Sequence, residues 1–159
     1  MEIDRYGLES RRDRDGDEEH GIIDVRQKIS VPNWERVWYI ADGFRMGMGV
    51  DEIFNLSKID AWFLHQIKQI VDHEQEIRNQ GMSLMSKRTA ALDHPLRHAK
   101  EFGFSDRRLA KLIGTTEETI RKARWDLDIL PVFKTVDTCA AESEASRRHF
   151  SRCVVFCRE

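Results

Sequence analysis

The chain has 159 residues, 40% of them hydrophobic and 34% charged, with a formal net charge of −2. That length suits one domain with a real core, and the near balance of charge gives no global drive toward nucleic acid or an anionic membrane. No apolar run approaches the roughly 20 residues of a bilayer span, and the charged opening lacks the apolar stretch of a signal peptide.

Residues 1–30 read as a mobile, charged lead-in. Arg11, Arg12, Asp13, Arg14 and Asp15 alternate in sign, and large apolar groups are few. Ordering such a segment would bury too little to offset the lost entropy. From Pro32 a helical period begins. Trp34, Val37, Trp38, Ala41, Phe44 and Met48 recur at steps of three and four on one face, with Glu35, Arg36, Asp42 and Arg45 mostly elsewhere. The glycines at 43, 47 and 49 read as the end of that helix, since they do not spell a phosphate-binding GxGxxG after a strand. A short second helix is expected over Asp51–Leu56.

Asp60 is a good N-cap for a long third helix ending near Gly81. Phe63, Leu64, Ile67, Ile70, Val71 and Ile77 form its expected inner stripe. Lys68/Asp72 and Glu74/Arg78 are read as solvated i,i+4 pairs. Met82–Ala91 carries no clear period. Asp93 is expected to cap a fourth helix with Pro95 in its first turn and Leu96, Ala99 and Phe102 inward, and Gly103 ends it. Ser105 caps a fifth helix, Gly114 marks a tight turn, and Thr115 with Glu118 forms a capping-box pattern for a sixth helix through Leu127. Ile129–Val136, interrupted by Pro131, is expected to be extended. With no βαβ alternation and no hairpin signal, the class is all-α: an irregular bundle of about six helices.

Catalytic signatures are missing from the sequence: no GxxxxGK[ST], no HExxH, no EF-hand loop and no nucleophile elbow. The three cysteines, an odd number with no CxxC, fit a reduced intracellular setting, in the cytoplasm or an organelle. Two spacings resemble metal sites. His94 and His98 sit at i,i+4 with Asp93 as the one neighbouring ligand, and read as two surface imidazoles at a helix start. His149, Cys153 and Cys157 fall at i,i+4,i+8 but lack a fourth ligand. Zinc needs three or four convergent ligands, so no residue is assigned to metal, cofactor or catalysis.

The segment from Asp106 also fits a helix-turn-helix. Leu109, Ala110, Ile113, Gly114 and Ile120 occupy the positions that want small or apolar residues and a turn glycine, whereas Thr115 and Ala123 stand where larger groups are usual. Its second helix opens on Glu117 and Glu118, which would face phosphate, with Arg121, Lys122 and Arg124 further along. A packing unit and a DNA-binding regulator are the two readings. The aromatic residues Trp34, Trp38, Phe44, Trp62 and Phe63 likewise leave two open, core packing or a self-association surface.

Two blocks carry a resemblance. Glu35–Ile67 contains Ile40-Ala41, Phe54-Asn55-Leu56, Ile59-Asp60 and Trp62-Phe63-Leu64. Glu101–Glu142 contains Gly103-Phe104-Ser105-Asp106 and Asp137-Thr138-Cys139-Ala140-Ala141-Glu142. In that order they resemble the middle of the carbamoyl-phosphate synthase large chain, over about residues 31–142. The resemblance implies a helical oligomerisation domain between two ATP-using synthetase halves. It implies no cofactor in this chain, since ATP and divalent metal would be bound by domains absent here. It implies as partners the flanking halves or another copy of the chain, with no membrane partner. Residues 143–159 match nothing in the family and are expected to form a flexible tail.

Overall fold

The computed structural model describes residues 7–10, 22–86, 94–131, 134–135 and 150–151. The α-helices are α1 (Ile22–Ser30), α2 (Arg36–Arg45), α3 (Val50–Ser57), α4 (Ala61–Gln80), α5 (Pro95–Glu101), α6 (Asp106–Ile113) and α7 (Glu117–Asp126), with a 3-10 helix at Gly81–Met85. A two-residue antiparallel pair, Lys134–Thr135 with Phe150–Ser151, is the sole strand pairing among the described residues. The class is all-α, with one α-helix more among the described residues than the periodicity suggests.

That extra helix, α1, lies inside the stretch expected as a lead-in. Val25 and Ile29, one turn apart, enter the core and supply the apolar burial that the surrounding charges conceal. Residues 7–10 are also placed. The Trp38 Nε1–H donates to the Gly7 carbonyl at 2.9 Å, and the Arg45 guanidinium donates to the Leu8 carbonyl.

The chain divides into two compact units, residues 1–79 and 80–159. In the first, α1 packs against α2 and α3. Ile29, Ile40, Ala41, Ile53 and Leu64 are fully buried or nearly so, with Val25, Tyr39, Phe44, Met48 and Val71 around them. Gly43 is buried within α2 instead of ending it. A Cβ there would meet the Ile29 and Ile53 side-chain ends and the Met48 sulfur, the first and last at 3.1 Å. The helix ends two residues on, at Arg45, and just beyond it Gly47 takes φ +87° while the Met48 N–H donates to the Gly43 carbonyl. Asp60 starts α4 as its sequence suggests, its carboxylate accepting the Trp62 N–H at 2.8 Å.

The second unit packs the 3-10 helix against α5, α6 and α7 around Leu84, Leu96, Ala99, Leu109, Ile120 and Ile129. Phe102, expected inward, is exposed, and Phe104 fills the core after α5 ends. The α6–α7 pair has the helix-turn-helix form. Gly114 at φ +73° carries the turn, and the Thr115 N–H closes it by donating to the Ala110 carbonyl at 2.9 Å. Ser105 caps α6, accepting the Arg108 N–H. The cap of α7 is Thr116, one residue later than the Thr115/Glu118 pattern, and its hydroxyl accepts the Thr119 N–H. Thr115 is committed to the turn, so the next hydroxyl takes the cap.

Candidate assembly surface

The long aromatic stripes do not all face inward. Trp38 and Phe44 are buried, whereas Trp34 is 63%, Trp62 62% and Phe63 56% exposed. Trp34 precedes its helix, because Asn33 makes a turn: its Oδ1 accepts the Glu35 N–H at 2.8 Å and its carbonyl accepts the Arg36 N–H. It therefore leans edge-on against Trp38, with ring centres 6.0 Å apart, outside the core. In α4 only Leu64, Val71, Glu74 and Ile77 are buried, with Ile67 and Ile70 partly so. Successive helical residues point about 100° apart, so Trp62 and Phe63 cannot share the inner line with Leu64. They stack edge-to-face on each other at 4.9 Å. Phe54, at 41%, and Val31, at 54%, are exposed as well.

Arg36 ties together backbone segments next to several of these side chains. The Arg36 guanidinium donates to the Ile29 carbonyl at the end of α1 and to the Ser57 carbonyl at the end of α3, each at 2.6 Å. It thus satisfies the orphan carbonyls of two helix ends while its own residue opens α2. Val31 follows the first of these ends, Trp34 precedes Arg36, and Phe54, Trp62 and Phe63 flank the second. Lys58, in the left-handed conformation that ends α3, places its ammonium 5.7 Å from the Phe54 ring centre. Lys58 and Asp60, both exposed, stand in the chain between Phe54 and the Trp62–Phe63 pair.

Arg45, also read as an outer residue, is a second tie. It pairs with Asp42 at 2.7 Å and with Glu74 at 2.9 Å, and holds the Leu8 carbonyl. Glu74 is therefore not the solvated partner of Arg78 that its i,i+4 spacing suggests. It is 3% exposed and bridges Arg45 and Arg78. Such a group is placed by tertiary packing, and no i,i+4 rule announces it.

The helix-turn-helix charges are engaged within the fold. Asp106, at the start of α6, takes Lys100 at 2.9 Å and Arg124 at 3.1 Å. Burial by itself raises the Asp106 pKa, but the hydrogen bonds and charges of Lys100 and Arg124 outweigh it and hold the carboxyl below its ordinary 3.8. Arg121 pairs with Glu117 at 2.6 Å, and Arg108 is buried. Two of the three cations expected to reach phosphate thus already hold carboxylates.

His94 is fully buried, not a surface imidazole. Its Nδ1 accepts the Leu96 N–H as the cap of α5, and its Nε2 lies 2.8 Å from the Ser86 carbonyl. Both ring nitrogens are occupied, which is why the His94/His98 spacing makes no metal pair; His98 faces Glu101 instead. Among the described residues no group of three His, Cys, Asp or Glu could hold a metal ion, and no helix is long and apolar enough to cross a membrane. Asp93, His149, Cys153 and Cys157 lie outside the described residues.

The structure thus defines an all-α unit whose described charges are largely paired within the fold, with several large aromatic side chains turned outward. Its sequence matches, over residues 1–128, the family described as the carbamoyl-phosphate synthetase large chain, oligomerisation domain, and the chain belongs to that family. It is 43% identical over 143 residues to the carbamoyl phosphate synthase large chain of Pseudomonas aeruginosa, covering 89% of this chain and 12% of that one. With the large chain of Xanthomonas axonopodis it shares 47% identity over 129 residues, 80% of this chain and 11% of the relative. With the N-terminal section of the large chain of Aquifex aeolicus it shares 42% over 142 residues, 89% of this chain and 23% of the relative. The chain therefore spans about an eighth of the full-length relatives. It corresponds to the oligomerisation domain of the large chain, not to a catalytic one.

Proposed function

We propose that this chain serves a carbamoyl-phosphate synthase as its connecting and assembling element. It would join ATP-using halves that form carbamoyl phosphate from bicarbonate, glutamine-derived ammonia and ATP, for arginine and pyrimidine synthesis. ATP and divalent metal would be held by those halves. The helical body doing this work starts at α1. The observation that carries the reading is the exposure of Trp34, Phe54, Trp62 and Phe63. Large aromatic groups left outside a well-filled core, with mixed charge at the rim, are what an assembly face presents.

The test combines the full chain with separately produced synthetase halves. The chain alone is expected to cleave no ATP. Halves supplied with it are expected to co-migrate in size exclusion and to form carbamoyl phosphate faster than halves without it. ATP cleavage by the purified chain, or halves that reach the same size and rate in its absence, would overturn the assignment.

A further inference from the structure

Residues 7–10 belong to no helix, yet two side chains of α2 hold them by the main chain. The Trp38 Nε1–H donates to the Gly7 carbonyl at 2.9 Å, and the Arg45 Nη2 donates to the next carbonyl, that of Leu8. Trp38 and Arg45 stand seven residues apart, two helical turns, so both donors rise from one face of α2. Donors aimed at two consecutive carbonyls read the path of a chain and not its side chains. The seating extends beyond these bonds: Leu8 packs against the core of the first unit, and Glu9 and Ser10 are buried. Gly7 suits its place. Its φ of +67° lies in the left-handed region, where an L side chain is disfavoured even though the space a Cβ would enter is open.

The Arg45 end of this site reaches another helix. The same Nη2 that holds the Leu8 carbonyl donates to the Glu74 carboxylate of α4 at 2.9 Å, while Nη1 takes Asp42 at 2.7 Å. A guanidinium is a flat, rigid fork, so Nη2 cannot turn relative to Leu8 without also moving relative to Glu74. Glu74 is buried, so water offers its carboxylate little in exchange for that bond. We propose that Trp38 and Arg45 form a docking site for an extended main-chain segment, filled by residues 7–10, and that Arg45 links the seating of this segment energetically to α4 at Glu74. Such a link is reciprocal: displacing the segment loosens Arg45 from Glu74, and a change at Glu74 loosens the segment. The inference goes beyond the assembly reading and does not depend on it. If that reading holds, the site is a route by which movement ahead of α1 reaches α4.

Hydrogen exchange of the indole N–H groups, followed by NMR on the 15N-labelled full chain, tests it. Of the four tryptophans, Trp34, Trp62 and Trp125 are exposed, so the Trp38 indole alone is expected to be protected, by roughly tenfold or more. Replacing each exposed tryptophan with Phe assigns the signals. Gly7→Ala, which alters no side chain of the site, is expected to speed exchange at Trp38 about tenfold. Glu74→Gln is expected to speed it roughly threefold or more, although the carboxylate acts only through Arg45. Asp72→Asn, the same change at an exposed position of α4, is expected to leave it as in the wild type. The backbone amides of Ile40 and Ile53, in the core of the same unit, are expected to keep their rates in all three variants. A Trp38 indole as fast as the other three would overturn the docking site. So would one that Gly7→Ala leaves unchanged or speeds only in step with Ile40 and Ile53. If Glu74→Gln does no more than Asp72→Asn, or speeds the core amides by the same factor as the indole, the link to α4 falls. None of these outcomes touches the assembly reading, which is decided with the synthetase halves.

Discussion

Asp106 shows how much one side chain can organise. It opens α6, yet its carboxylate ties the last turn of α5 through Lys100 and the body of α7 through Arg124. Both cations have a second task, Lys100 donating to the Phe104 carbonyl and Arg124 to the Ile129 carbonyl, so the loops after α5 and α7 depend on the same cluster. Its lowered pKa fixes the sign of a pH effect. Because the folded value lies below 3.8, the stabilisation is fully present above the unfolded pKa and is lost as pH falls through the folded one. Asp106→Asn should therefore cost about 2 kcal/mol near neutrality, and the gap from wild type should narrow below pH 3.8. Urea unfolding followed at several pH values measures both; a gap that is constant with pH would remove the carboxylate from the account. Arg36 and Arg45 make the same point in the first unit, where helix ends and a buried carboxylate are held by guanidinium groups that their polar character had placed on the outside.

At the scale of elements, helix ends were the more readable features. Asp60, Ser105, Gly47, Gly103 and Gly114 stand at ends that they mark in the sequence, because capping depends on a few neighbouring backbone groups. The start of α7 differs by one residue, and the difference is measurable. Thr116→Ala should cost about 1 kcal/mol by removing the acceptor for the Thr119 N–H, while Thr115→Ala should fall within about 0.5 kcal/mol of wild type. Equal losses from both, in the same denaturant titration, would restore the capping box to Thr115. The faces of elements were less readable than their ends. Trp62, Phe63 and Leu64 are consecutive, and only Leu64 lies on the inner line set by Val71 and Ile77. The signal in the sequence is angular: three adjacent large residues cannot share one helical face. Glu74 erred in the other direction, since an acidic residue on that inner line has no local pattern to announce that Arg45 will meet it.

For the whole molecule, each unit has its own buried centre, Ile40, Ile53 and Leu64 in the first and Leu96, Leu109 and Ile120 in the second. Association of copies through the first unit, one form of the assembly proposed above, would couple assembly to stability. Each tenfold rise in concentration above the dimer dissociation constant should add about 1.4 kcal/mol to the native state, raising Tm by about 3 °C. Differential scanning calorimetry at several concentrations should show that shift in the wild type and none in Phe63→Asp; a Tm independent of concentration in both would separate assembly from folding. The helical class, the glycine stops and the two family blocks were determined by the sequence alone, because period, capping and motif order are local or linear properties of a chain. The family match reaches back to residue 1, and α1 belongs to the folded body, although charge density had made that stretch read as a lead-in. Only the tertiary structure decided which aromatic residues face outward. Whether Trp34 or Phe63 joins the core depends on where Asn33 turns the chain and which line of α4 meets α1–α3, and those are relations between segments that no single segment encodes.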